Sequence, residues 1–176
     1  GDQRVTCFMD LAEFEPRPMR DRHDLLARLP AITEACSTVL SFNLKEAWLM
    51  ADTVGAAYDR SPAPDAVAAC AAALHQAIAV DRIVIHPNDG AACASATGCV
   101  YVPGPLCAAP LISTGAGDHF GAGYLAATLA GLGETGALLA GVSASGHFVR
   151  SGRSPSFADM ADLLDAWSAG TLPERL

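Results

Sequence analysis

Residues 112–125 read Ile-Ser-Thr-Gly-Ala-Gly-Asp-His-Phe-Gly-Ala-Gly-Tyr-Leu and gather the residue types that handle an anion. Gly115, Ala116 and Gly117 stand just before a long Ala/Leu-rich stretch, so the glycines fall where a loop enters a helix. Glycine lacks a Cβ and lets the backbone turn sharply, bringing several N–H groups toward one ligand while the helix dipole adds partial positive charge. Asp118 follows directly. It reads either as a first-turn acid that favours the dipole, or as a base beside a phosphate cradle, accepting a proton from a hydroxyl as that hydroxyl attacks phosphorus. A second pair is Asn43 and Glu46, at i and i+3 and so on one helix face near its start. Taken alone the pair is a capping box, with Glu46 folding back on Asn43. Beside a separate Gly-Ala-Gly-Asp loop a metal role is favoured, because magnesium takes oxygen ligands and keeps several waters.

The elements that must position these groups alternate. Residues 5–9 form a short apolar run ending at Asp10, residues 38–42 are β-branched and apolar, and residues 82–86 hold Ile83, Val84 and Ile85, the clearest strand pattern in the chain. Between them, residues 13–22 with Pro16 and Pro18 read as a loop, and 21–36 show helical spacing interrupted near Pro30. Helices are expected over 43–54 and 64–80, a hairpin over 91–96 and 99–102 around Thr97-Gly98, and helices over 116–132, 135–150 and 157–169. The pattern is α/β, an open sheet covered by helices. Ligands in such sheets collect at the carboxyl ends of strands, where Asp10, Asn43 and His86 are all expected.

Composition narrows the class. The chain has 11 basic against 19 acidic residues and a net charge of −8, which argues against nucleic-acid binding through phosphate neutralisation. At 176 residues, 51% hydrophobic and 17% charged, it reads as one globular domain with a sizeable core and no internal repeat. Six cysteines without a Cys-x-x-Cys pair read as reduced, buried thiols of a cytoplasmic protein. No N-terminal signal is visible, and residues 133–136 break the apolar stretch 120–149 into pieces too short to span a membrane. The five histidines show no ligand spacing with Cys or carboxylate, so a zinc site is not expected.

Thr114-Gly115-Ala116-Gly117-Asp118, with Phe120, Ala122, Gly123 and Leu125 after it, resembles the C-terminal signature of the ribokinase-like carbohydrate kinases, the PfkB family, Asp-Thr-Thr-Gly-Ala-Gly-Asp-Ala-Phe-x-Ala-Gly-Phe. Ile112 stands where that family has a leading Asp that helps hold a monovalent cation, and His119 where it has a small residue. Asn43-Leu44-Lys45-Glu46 is similar to the family's Asn-x-x-Glu, 83–90 with the hairpin resembles the segment along the nucleotide, and 140–152 resembles the helix and loop that wall the adenine pocket. The resemblance implies a ribokinase-like three-layer α/β/α fold, a mainly parallel sheet plus a hairpin, of which residues 1–176 are the nucleotide-binding half. It implies ATP and Mg²⁺ as cofactors and phosphoryl transfer to a hydroxyl of a sugar or similar small molecule. It makes Asp118 the base with Gly115, Ala116 and Gly117 as the anion cradle, and Asn43 and Glu46 the magnesium residues. Nucleotide contacts are expected from Asn43, Glu46, His86, Gly90, Thr114, Ser143 and His147. The family's acceptor-binding and lid half has no counterpart here, so self-association or complementation by that half is expected.

Two other readings stand beside it. A non-catalytic nucleotide-binding module needs only the cradle. A dinucleotide-dependent oxidoreductase would use Gly115 and Gly117 with Glu134 about 20 residues on. Its third glycine is displaced to Gly121 and no strand precedes Glu134, so Gly121 and Gly123 read better as helix-packing residues.

Overall fold

Short runs of apolar and β-branched residues make strands because their side chains pack on a pleated surface. The computed structural model describes residues 4–11 and 16–176. Its elements in chain order are β1 (Thr6–Asp10), α1 (Met19–Ala35), β2 (Ser37–Phe42), α2 (Leu44–Val54), α3 (Pro64–Ala77), β3 (Arg82–Ile85), β4 (Gly90–Ser95), β5 (Gly98–Pro103), α4 (Ala116–Leu129), α5 (Gly133–Ser151) and α6 (Phe157–Ser168). They form two compact units, one of Gly1–Pro87 with Ala92–Tyr101, the other of Asn88–Ala91 with Val102–Leu176.

The strands form one mixed sheet in the order β1-β2-β3-β4-β5. β1 pairs parallel with β2 and β2 with β3, and β4 then returns antiparallel to β3. Asp10 lies opposite Ser41, and Phe42 opposite Ile85. On one face Leu40, Phe42, Ile83, Ile85, Ala92 and Ala94 pack with Leu29 of α1, Met50 of α2 and Leu74 of α3 into a fully buried cluster. Each large aliphatic side chain removed from water there contributes roughly 1.5–3 kcal/mol. Residues of the other parity, Val39, Ser41 and Val84, are buried as well, which is why these strands read as continuous runs rather than alternating ones.

Three expectations need correcting. Residues 13–22 are not a loop throughout, because α1 starts at Met19, and residues 13–15 lie outside the described ones. α1 also runs through Pro30 without interruption. Pro30 is on the exposed side, where the carbonyl that loses its intrahelical N–H can meet water. The cysteines are free, but only Cys70 and Cys93 are buried, whereas Cys99 is exposed.

In the second unit α4 and α5 approach very closely. A Cβ on Gly123 would lie 2.5 Å from the Ala140 carbonyl oxygen, so glycine at 123 is a packing requirement, as its spacing suggests. Leu138 is fully buried, and the Phe120 and Tyr124 rings stack with centroids 6.2 Å apart. Arg150, almost fully buried at the end of α5, donates to the carbonyls of Pro105, Leu106, Gly146 and Pro173. It thereby fastens loop 104–111 and the C-terminal tail to the helix. The 120–149 stretch is two helices, and no helix among the described residues is long and apolar enough to cross a membrane.

Candidate functional site

The candidate residues divide between the two units. In the first, the parallel strands β1, β2 and β3 end together, bringing Asp10, Asn43 and His86 to one end of the sheet as expected. Asn43 caps α2. Its Oδ1 accepts from the Glu46 N–H at 3.0 Å, and its own N–H donates to Glu46 Oε2 at 2.9 Å, so the capping box is complete. Glu46 is buried. With these two oxygens committed to backbone donors, the pair suits a magnesium ion that keeps its water shell and offers a water to the pair, rather than direct ligation. Among the described residues no group of three or more His, Cys, Asp or Glu side chains gathers to hold a metal. His86 donates its N–H to the Phe42 carbonyl at 3.0 Å, and burial pushes its imidazole down to about 4. It is neutral at neutral pH.

In the second unit the start of α4 is built differently. Gly115, the N-cap, lies in the left-handed region at φ +92°, and no side chain caps the helix. The Ala116 N–H donates to the Ser113 carbonyl at 3.1 Å, so one of the three backbone donors nominated from sequence is committed to the turn. Gly117 and Asp118 follow in the first turn, where N–H groups have no intrahelical acceptor. Asp118 is exposed, and no described side chain pairs with its carboxylate. A mainly apolar cavity of about 460 Å³ opens beside Asp118 and His119, walled by Ala122, Ala126, Ala144 and Phe157.

Thr114 is exposed in the turn before α4, Gly90 is buried at the start of β4, and its backbone lies where a Cβ on Gly104 would come within 3.2 Å. Ser143 is fully buried and donates its hydroxyl to the Leu139 carbonyl at 2.6 Å, within its own helix. His147 is buried with Nδ1 3.2 Å from Ser151 Oγ. Thr114, Ser143 and His147 do not line the cavity that contains Asp118.

Sequence reasoning missed Ser154, which lines that cavity and contacts His119 from 35 residues away. It also missed the capping box of α6, in which Ser156 Oγ accepts from the Asp159 N–H at 3.2 Å. Ser-Pro-Ser before an amphipathic run was the available signal.

A family model described as prokaryotic ketohexokinase matches residues 9–167. A ketohexokinase of Haloferax volcanii is 34% identical over 95 residues, covering 54% of this chain and 24% of that protein. Among solved structures, a mutant phosphofructokinase-2 of Escherichia coli superposes with a TM-score of 0.67 at 14% identity, covering 94% of this chain and 58% of that one. Arabidopsis thaliana ribokinase, complexed with ribose and ATP, gives 0.64 at 18% identity, covering 89% and 46%. The fold is therefore ribokinase-like α/β, and the chain spans about half the length of these structures.

Proposed function

The chain belongs to the prokaryotic ketohexokinase family, and we propose that it carries the nucleotide-binding half of a kinase that moves a phosphoryl group from ATP to a hydroxyl of a ketohexose or related sugar. The observation that carries this reading is the uncapped start of α4, a left-handed glycine followed by first-turn donors, with the exposed Asp118 carboxylate beside a cavity. Such a start binds phosphate through backbone N–H groups and needs no basic surface, which suits a chain with net charge −8.

In this reading Asp118 accepts the proton of the attacking hydroxyl. The N–H groups of Gly115 and Gly117 stabilise the charge growing on the transferred phosphoryl group, and removing one well-placed donor of this kind costs about 3 kcal/mol. Ala116 acts mainly by holding the turn to Ser113. Asn43 and Glu46 would hold a magnesium ion through water, and the ion would supply neutralisation of phosphate charge. His86, Gly90 and Thr114 contact the nucleotide, with Ser143 and His147 serving as the wall of α5. The acceptor site and lid belong to a further part of a longer chain or to a partner, and the protein works in the cytoplasm, where ATP is supplied.

Thermal shift of the 176-residue chain tests the binding part. Mg·ATP should raise the melting temperature, ATP with EDTA less, and NAD not at all, because only ligands of the native state stabilise it. A rise with NAD alone would favour the oxidoreductase reading. Binding of ATP without phosphotransfer to fructose by the longest chain that carries this sequence would leave a non-catalytic module.

A further inference from the structure

The imidazole of His119 is fixed on three sides. Its Nδ1 lies 2.7 Å from the Gly115 carbonyl oxygen, its Nε2 lies 2.9 Å from Ser154 Oγ, and its ring stacks on Phe148 with centroids 3.7 Å apart and planes 12° from parallel. The same Phe148 ring comes within 3.5 Å of where a Cβ on Gly115 would stand. A carbonyl can only accept, so Nδ1 carries the proton, and in the neutral ring Nε2 accepts from the Ser154 hydroxyl. The peptide plane between Gly115 and Ala116 is thus held at both ends, the Ala116 N–H on Ser113 and the Gly115 oxygen under His119. The same Gly115 oxygen accepts the backbone N–H of His119 at 3.1 Å, the first bond of α4, so the imidazole is a second and shorter donor to it.

We propose that His119 is a positioning residue whose Nδ1–H latches the Gly115 carbonyl and so fixes the peptide plane at the mouth of the anion cradle, with Ser154 and Phe148 orienting the ring. The consequence for ATP rests on the kinase reading above; the latch itself does not.

The two are tested separately. Long-range ¹H–¹⁵N spectra of the imidazole nitrogens at pH 8 should show His119 protonated on Nδ1 and bare on Nε2, and an Nε2–H ring would overturn the latch. Calorimetric titration with Mg·ATP should show His119→Ala binding about tenfold more weakly than the unaltered protein, the worth of one hydrogen bond of roughly 1.4 kcal/mol. His119→Asn, whose amide can still reach the Gly115 carbonyl, should recover most of the affinity. Equal affinity in His119→Ala and the unaltered protein would overturn the proposal. If the unaltered protein binds no ATP, the kinase reading fails while the tautomer still decides the latch. Should His119→Ala not fold, Ser154→Ala replaces it: loss of the single Nδ1–H tautomer supports the anchoring role, and an unchanged spectrum overturns it.

Discussion

The two helix starts that carry the candidate chemistry are opposites. α2 is closed by its own residues, with Asn43 and Glu46 each satisfying a backbone donor of the other. α4 is left open, with a left-handed glycine at the cap and no side chain over its first N–H groups. A capped start adds stability and has little left to offer a ligand, whereas an open one leaves donors and dipole available. The difference separates the two motifs by job. In the proposed reading the α4 start takes the phosphate, and the α2 start offers its Asn43–Glu46 pair to a hydrated cation.

The strongest challenge to that separation is Asp118→Asn. Turnover in a phosphotransfer assay should fall by about 10²–10⁴-fold, the usual worth of a positioned base, while ATP affinity is retained. Turnover at the original rate would remove Asp118 as the base. Next comes Gly115→Ala, which forces a Cβ into the left-handed region at a cost of about 1–2 kcal/mol and should weaken ATP binding beyond any loss in urea stability. At the closed start the effects should separate into stability and magnesium dependence. Asn43→Ala should cost about 1 kcal/mol in urea unfolding. Glu46→Gln, which can still fold back on Asn43, should leave stability nearly unchanged and shrink only the extra ATP affinity that Mg²⁺ provides.

A further expected effect is a pH dependence at the same end of the sheet. His86 is held neutral in the folded state, down to about 4, while in the unfolded chain it titrates near 6.5. The unfolded state therefore binds more protons between these values, so this group's contribution is full above 6.5 and is lost as pH falls toward 4. His86→Gln should flatten that part of the urea stability profile.

Much of this was legible in the sequence because the signals are local. Ile83-Val84-Ile85 marks a buried strand, Asn43 with Glu46 marks a helix start, and two glycines before an Ala-rich run mark another. The capping box followed from i, i+3 spacing alone. What stayed hidden depends on contacts distant in sequence or on which side of a helix faces water. Pro30 reads as a break until its exposed position shows that its lost hydrogen bond can be replaced by solvent. His119 stands out as a bulky residue in a small residue's place, but its adjacency to Asp118 assigns it no partner, since successive helix residues point about 100° apart; its contacts with Gly115 and Ser154 come only with the fold. Arg150 carries no local signal of its role, a buried clasp on four carbonyls, three of them at least 23 residues away in sequence.

The most direct test of the open-start account is the backbone amide spectrum of the protein titrated with Mg·ATP. The account predicts large shifts of the Gly115, Gly117 and Asp118 amides, with the amide of Glu46, already bonded within the α2 cap, moving far less. Shifts that spare the α4 start, or ATP binding with no change at Gly115 and Gly117, would contradict it.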